Sequence, residues 1–164
     1  MTRKELLHAY ANGRRNFDGV NLSGVDLSGA DLTKTNMQFV NLKDTNLAGA
    51  NLYGVNLSKT IMRCVNMADA NLAGADLSGA ILVLSNANGA NLAGADLSCS
   101  ILMGVNLNGA NLNGACLSDA ILVESNVNGA NLAGADLSYT KFESADLERA
   151  NLTGADMSKT IMQS

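Results

Sequence analysis

An all-β solenoid wound in four-sided coils, with one short helix at its N-terminus, is the fold that this 164-residue sequence predicts, on three observations. From Arg15 onward the chain repeats every five residues without a slip. The third residue of each five, here called the centre, is apolar thirty times in succession from Phe17 to Met162, and 21 of these are Leu. Glycine gathers at the fifth position, which holds fifteen of the sixteen glycines, from Gly19 to Gly154. A longer period of twenty residues lies over the short one: Ala-Asn-Leu-Ala-Gly-Ala-Asp-Leu-Ser stands at 70–78, 90–98 and 130–138. Repetition at a fixed period marks a stacked array whose units cannot bury their apolar faces alone.

The elements follow in chain order. Thr2-Arg-Lys-Glu5 reads as a capping box, Leu6, Leu7 and Tyr10 form an apolar face at helical spacing, and Gly13 is a helix stop. Residues 1–14 are therefore expected to form a helix lying over the open end of the column, since repeat arrays need a capped end. His8, the one histidine, becomes a surface residue of that helix. Residues 15–164 form the solenoid of thirty repeats, or about 7.5 coils at four repeats each. At ~4.8 Å per coil the stack is roughly 35 Å long.

Within each five, the residue two before the centre is small: Ala in fifteen cases, otherwise Val, Thr or Ser, with Arg15 the exception. Residues two apart point to the same side of an extended segment, so this residue and the centre both face inward. Asn or Asp fills 23 of the 30 sites between them and is expected to face solvent. Every centre should be buried and every Asn/Asp site at least partly exposed. The last two residues turn the chain, and Gly makes such a corner cheap. Lys34, Phe39, Asp44, Lys59, Cys64, Leu84, Cys99 and Tyr139 occupy the same corner slot, however, so left-handed backbone is not expected at every corner. The undersized centre Ala87 stacks between Met67 and Leu107, and Met is flexible enough to fill the space beside it. Ala87→Leu is accordingly expected to lower the denaturant midpoint by the equivalent of about 1–3 kcal/mol.

These residues resemble the pentapeptide repeat family, whose motif is A(D/N)LXX, over residues 15–164. The resemblance implies a right-handed quadrilateral β-helix, and the handedness comes from the resemblance alone. Departures are few: Ala87 and Val127 are small centres, Phe17 and Phe142 large ones, and Lys141 and Cys116 replace Asn or Asp. Long arrays of this kind are plentiful in cyanobacteria. Some family members resemble B-DNA in shape and charge and bind DNA gyrase.

Composition bounds the function. A net charge of −4 and no basic stripe argue against direct nucleic-acid binding. No apolar run approaches the ~20 residues that span a bilayer, and no signal-peptide run follows the N-terminal residues. Cytoplasmic residence without membrane contact is the expectation. The sequence has no Cys-x-x-Cys, no phosphate-cradling Gly loop and no His-rich metal spacing, so neither catalysis nor a cofactor is expected. Cys99 and Cys116 sit on one side in successive coils but three residues out of register, about 10 Å along the strand, which is beyond disulfide reach.

Three surfaces remain. Asp76, Asp96, Asp136 and Asp156 share one side, interrupted by Cys116, as an acidic edge. On another side Ile61, Ile81, Ile101 and Ile121 occupy the Asn/Asp site, with Val83, Met103 and Val123 after the centres and Leu84 at a corner. That is a contiguous apolar face of a kind monomers seldom leave uncovered. The third surface is the C-terminal end, where Phe142, Met157, Ile161 and Met162 would lie open with unpaired strand groups. The reading is a non-enzymatic rigid solenoid acting as a protein-interaction or structural module; the alternative is a DNA-mimicking modulator of DNA gyrase or topoisomerase. Its partner is expected to be a protein, including a second copy docked end to end or through the Ile side, with the end-to-end contact favoured.

Overall fold

A period of five leaves each side of a coil only two or three extended residues before the chain must turn. The computed structural model describes residues 1–162 and shows what this permits. Parallel bridges join residues twenty apart, from Asn16 with Asn36 through to Lys141 with Ile161, and each is one residue wide. Two hydrogen bonds make a rung: the Leu92 N–H donates to the Asn111 carbonyl (2.7 Å) and the Asn111 N–H to the Ala90 carbonyl (2.9 Å). The turn then closes on itself, with the Ala95 N–H donating to the Leu92 carbonyl at 3.0 Å. Four such turns complete a coil of twenty residues, and the last two residues of the thirtieth repeat lie outside the described residues.

The corners correct the sequence expectation. Every described corner residue, fifteen glycines and fourteen others, has a positive φ, between +53° and +71°. A positive φ at the third residue is what a type II turn requires. The corner cannot relax to suit its residue, because its N–H also bonds to the next coil: Gly94 to the Asn113 carbonyl (2.9 Å), and Leu84 to the Met103 carbonyl (3.0 Å). Stacked backbone therefore imposes left-handed geometry on Lys, Phe and Leu as firmly as on Gly. A branched side chain there costs on the order of 1–2 kcal/mol. Leu84→Gly should consequently raise the unfolding free energy by about 1 kcal/mol; a loss of stability by denaturant titration would show that the corner is unstrained.

The N-terminal helix, α1, spans Arg3–Ala11. Thr2 Oγ1 accepts the Glu5 N–H (3.3 Å) and the Glu5 carboxylate accepts the Thr2 N–H (2.7 Å), completing the capping box. Leu6 is fully buried, and Leu7, Ala9 and Tyr10 are half-buried against the core. The Arg3 guanidinium donates to the Asp26 and Ser28 carbonyls (2.9 and 3.1 Å), which pins the helix to the first coils. Tyr10 donates its hydroxyl to the Thr33 carbonyl, and the Arg15 guanidinium stacks 3.8 Å from the Tyr10 ring centroid. The Ser28 N–H and hydroxyl beside Asp26, with Arg3 adding to them, hold its carboxyl below the usual carboxylate range. His8 is exposed.

The core is a column of centres, buried from Phe17 through Phe142. Leu147, Leu152 and Met157 are only half-buried and Met162 is 54% exposed, so the expectation that every centre is buried fails over the last coil. A centre is sealed by the coil on each side of it, and no described coil lies beyond these four. Every Asn/Asp site is at least partly exposed, as the alternation demands. Where Ser or Thr replaces the inward Ala, its hydroxyl finds a carbonyl: Thr45 donates to Leu22 (2.9 Å), Ser125 to Leu102 (2.7 Å) and Thr140 to Leu117 (2.8 Å). Among the described residues no buried side-chain polar atom lacks a partner, as a dry core requires.

Candidate interaction surfaces

The Asn/Asp site does two things at once. Asn91 Oδ1 accepts the Ala93 N–H of its own repeat (3.3 Å), and Asn91 Nδ2 donates to Asn71 Oδ1 one coil back (3.1 Å). Repetition gives the ladder from Asn51 to Asn151, with steps of 3.0–3.3 Å. The adjacent side carries a second ladder, from Asp26 through Asn46, Asn66 and Asn86 to Asn106, with steps of 3.1–3.2 Å. Sequence reasoning missed it, although the same twenty-residue spacing was its signal.

The acidic residues sit in one stack, Asp76 bridged to Asp96 and Asp136 to Asp156, with Cys116 between the pairs. Each carboxylate is already engaged, accepting the N–H of the Ser two residues on at 2.9–3.0 Å. The Ser138 hydroxyl and N–H hold the Asp136 carboxyl below its ordinary range. Among the described residues no group of three His, Cys, Asp or Glu could hold a metal ion. The edge is a series of turn-capping carboxylates. All three cysteines are free thiols.

On the Ile side this device is broken. An Ile cannot accept the N–H two residues on, and among the described residues the Arg63, Val83, Met103 and Val123 N–H groups have no acceptor. Ile61 is 44% exposed and Met103 41%, while Ile81, Ile101, Ile121, Val83 and Val123 are half-exposed. Leu84, 65% exposed, leans over the corner of the next coil: a Cβ on Gly104 would come within 2.8 Å of its Cδ2. The structure thus brings all eight residues of the predicted face together.

At the C-terminal end the members separate. Phe142 is buried, its N–H bonded to the Ile161 carbonyl (2.8 Å), and so offers no contact surface; the coil that carries Ile161 covers it. Met157 and Ile161 are half-buried and Met162 exposed. Charge is spread unevenly over the sides. The side with the Asn51–Asn151 ladder carries only Asp31 and Lys34, whereas the acidic edge adds Asp18 and Asp119 to its four carboxylates and also carries Arg15, Lys59 and Lys159. Among the described residues no helix is long and apolar enough to cross a membrane.

The family profile described as pentapeptide repeats matches residues 16–49, 50–88, 84–122 and 125–163, in eight copies. The chain belongs to the pentapeptide repeat family. No curated protein matches its sequence. This pentapeptide repeat protein is similar to HetL, a member involved in heterocyst differentiation regulation in the cyanobacterium Nostoc sp. strain PCC 7120. The two are 29% identical over 98% of this chain and 94% of that one, with a TM-score of 0.35. It is also similar to alr5209, a pentapeptide repeat protein from Nostoc PCC 7120, at 31% identity over 74% of this chain and 80% of that one (TM-score 0.33). QnrB1, a plasmid-mediated fluoroquinolone resistance protein, is 18% identical over 90% of this chain and 82% of that one (TM-score 0.36).

Proposed function

We propose that this pentapeptide repeat protein is a non-enzymatic docking module of the cytoplasm, a right-handed quadrilateral β-helix whose Ile side is its contact surface for another protein. One observation carries the reading: four coils in succession give up the Asn side chain that elsewhere satisfies a backbone N–H and bonds to the coil before. Each such exchange forgoes hydrogen bonds with a net worth of about 0.5–1.5 kcal/mol apiece and leaves an apolar side chain half in water. Strand propensity favours β-branched residues, but that preference acts equally on all four sides and does not explain a cluster on one. Covering the face with a partner recovers the buried area.

A DNA-mimicking modulator of gyrase is the weaker reading. It needs carboxylates along the whole rod, and here the stacked ones share one side, each engaged in its own turn, next to an almost uncharged ladder of Asn.

Site-specific photo-cross-linking tests the module reading. A cross-linker at Met103, on the Ile side, should give discrete protein adducts, and one at Asn113, on the Asn-ladder side, should give none. Equal adducts from both positions, or none from Met103, would sink it.

A further inference from the structure

Opposite charges bound the Ile side, and their placement is self-complementary. The residues that follow the centres on this side are Arg63, Val83, Met103, Val123 and Glu143, each one coil of twenty residues from the next. Arg63 and Glu143 therefore stand two coils on either side of Met103, about 10 Å each way. Neither has an ion-pair partner among the described residues, where the two pairs present are Lys43 with Asp44 and Arg149 with Glu148. At the basic end Lys43 is balanced by Asp44, and at the acidic end Glu124 by Lys141, which leaves Arg63 and Glu143 as the charges in excess.

We propose that this side is an antiparallel homodimer interface, with a two-fold axis along the strand direction at Ile101 and Met103, so that Arg63 of each chain meets Glu143 of the other. The inference rests on the docking-module reading and names the partner as a second copy of this chain. A two-fold axis in this direction reverses the solenoid but keeps the columns over one another. Ile101 and Met103 then meet their own copies, Ile81 meets Ile121, and Val83 meets Val123. Lys141 falls over Ile61, where its methylene stem covers apolar surface and its ammonium reaches water.

The parallel arrangement, with the axis along the solenoid, would bring the two basic ends together and the two acidic ends together. It also leaves Arg63 facing Ile61. An isologous interface requires a patch that complements itself under the two-fold axis, and only the antiparallel arrangement pairs the basic end with the acidic one. Such rim charges set orientation and register more than raw affinity.

Sedimentation equilibrium on the full chain, at concentrations up to about 1 mM, tests the proposal. The parent should dimerise. Arg63→Glu and Glu143→Arg should each weaken the dimer at least about tenfold, since each change strikes two symmetric pairs. The exchange R63E/E143R should return the dissociation constant to within about threefold of the parent. Met103→Glu, which sets two carboxylates together at the axis, should give a monomer. Circular dichroism melts taken well below the parent's dissociation constant, where association adds nothing to stability, should stay at the parent value throughout, because these side chains lie outside the core. Adducts from Met103 to a different protein, with a monomeric parent, would leave the docking module standing and remove the self-pairing. A monomeric parent at the highest concentration, a dimer indifferent to the single charge changes, or an exchange variant as weak as the singles would each overturn the dimer.

Discussion

Leu92→Ala is expected to cost about 3 kcal/mol of unfolding free energy. Leu92 is buried between Leu72 and Leu112, one coil before and one after, and the backbone rungs hold those coils at fixed spacing. The wall cannot close on the space left behind, so the cavity penalty adds to the lost transfer energy. Leu152→Ala, on the same side, removes the same atoms from a half-buried site and should cost about 1 kcal/mol. Urea titration followed by circular dichroism separates the two. Because each coil leans only on its neighbours, Leu92→Ala should also divide the array into two parts, lowering the slope of the transition as well as its midpoint. Equal losses at the two positions would mean that stability does not reside in the stacked column.

The second large effect joins stability to association. Replacing Ile81, Ile101 and Ile121 together by Asn restores the family motif on the Ile side. Each new Asn can accept the N–H of residue 83, 103 or 123 and join a ladder like the one on the neighbouring side from Asn46 to Asn106. Folding stability should stay level or rise by up to about 1–2 kcal/mol, while dimerisation and the cross-linked adducts disappear. Surface substitutions usually change stability by less than about 0.5 kcal/mol, so a variant stabilised by more than that yet unable to bind would identify the Ile residues as retained for contact. A variant that unfolds early and still associates would show that they serve the coil instead.

Much of this molecule is legible in its sequence because its determinants are local and repeated. Leu72 faces inward and Asn71 outward for a reason contained in two adjacent residues, the alternation of an extended segment, and thirty copies leave no freedom to slip. The capping box at Thr2 and Glu5 was readable in the same way. The Ile face could be assembled from spacing alone, since residues twenty apart must stack once four repeats close a coil.

The amino-acid sequence by itself therefore determined the coil length, the inward centres, the Asn51–Asn151 ladder, the cap helix and the apolar face. Only the tertiary structure decided the left-handed corners at Leu84 and Lys34, because those corners obey hydrogen bonds from the neighbouring coil and not the preference of the residue that occupies them. It likewise decided that Phe142 lies buried while Met162 lies open, since burial of a centre depends on having a coil on both sides. The unpaired N–H groups beside the Ile column emerged at the same level. A missing acceptor is a property of two residues in space, and neither residue announces it alone.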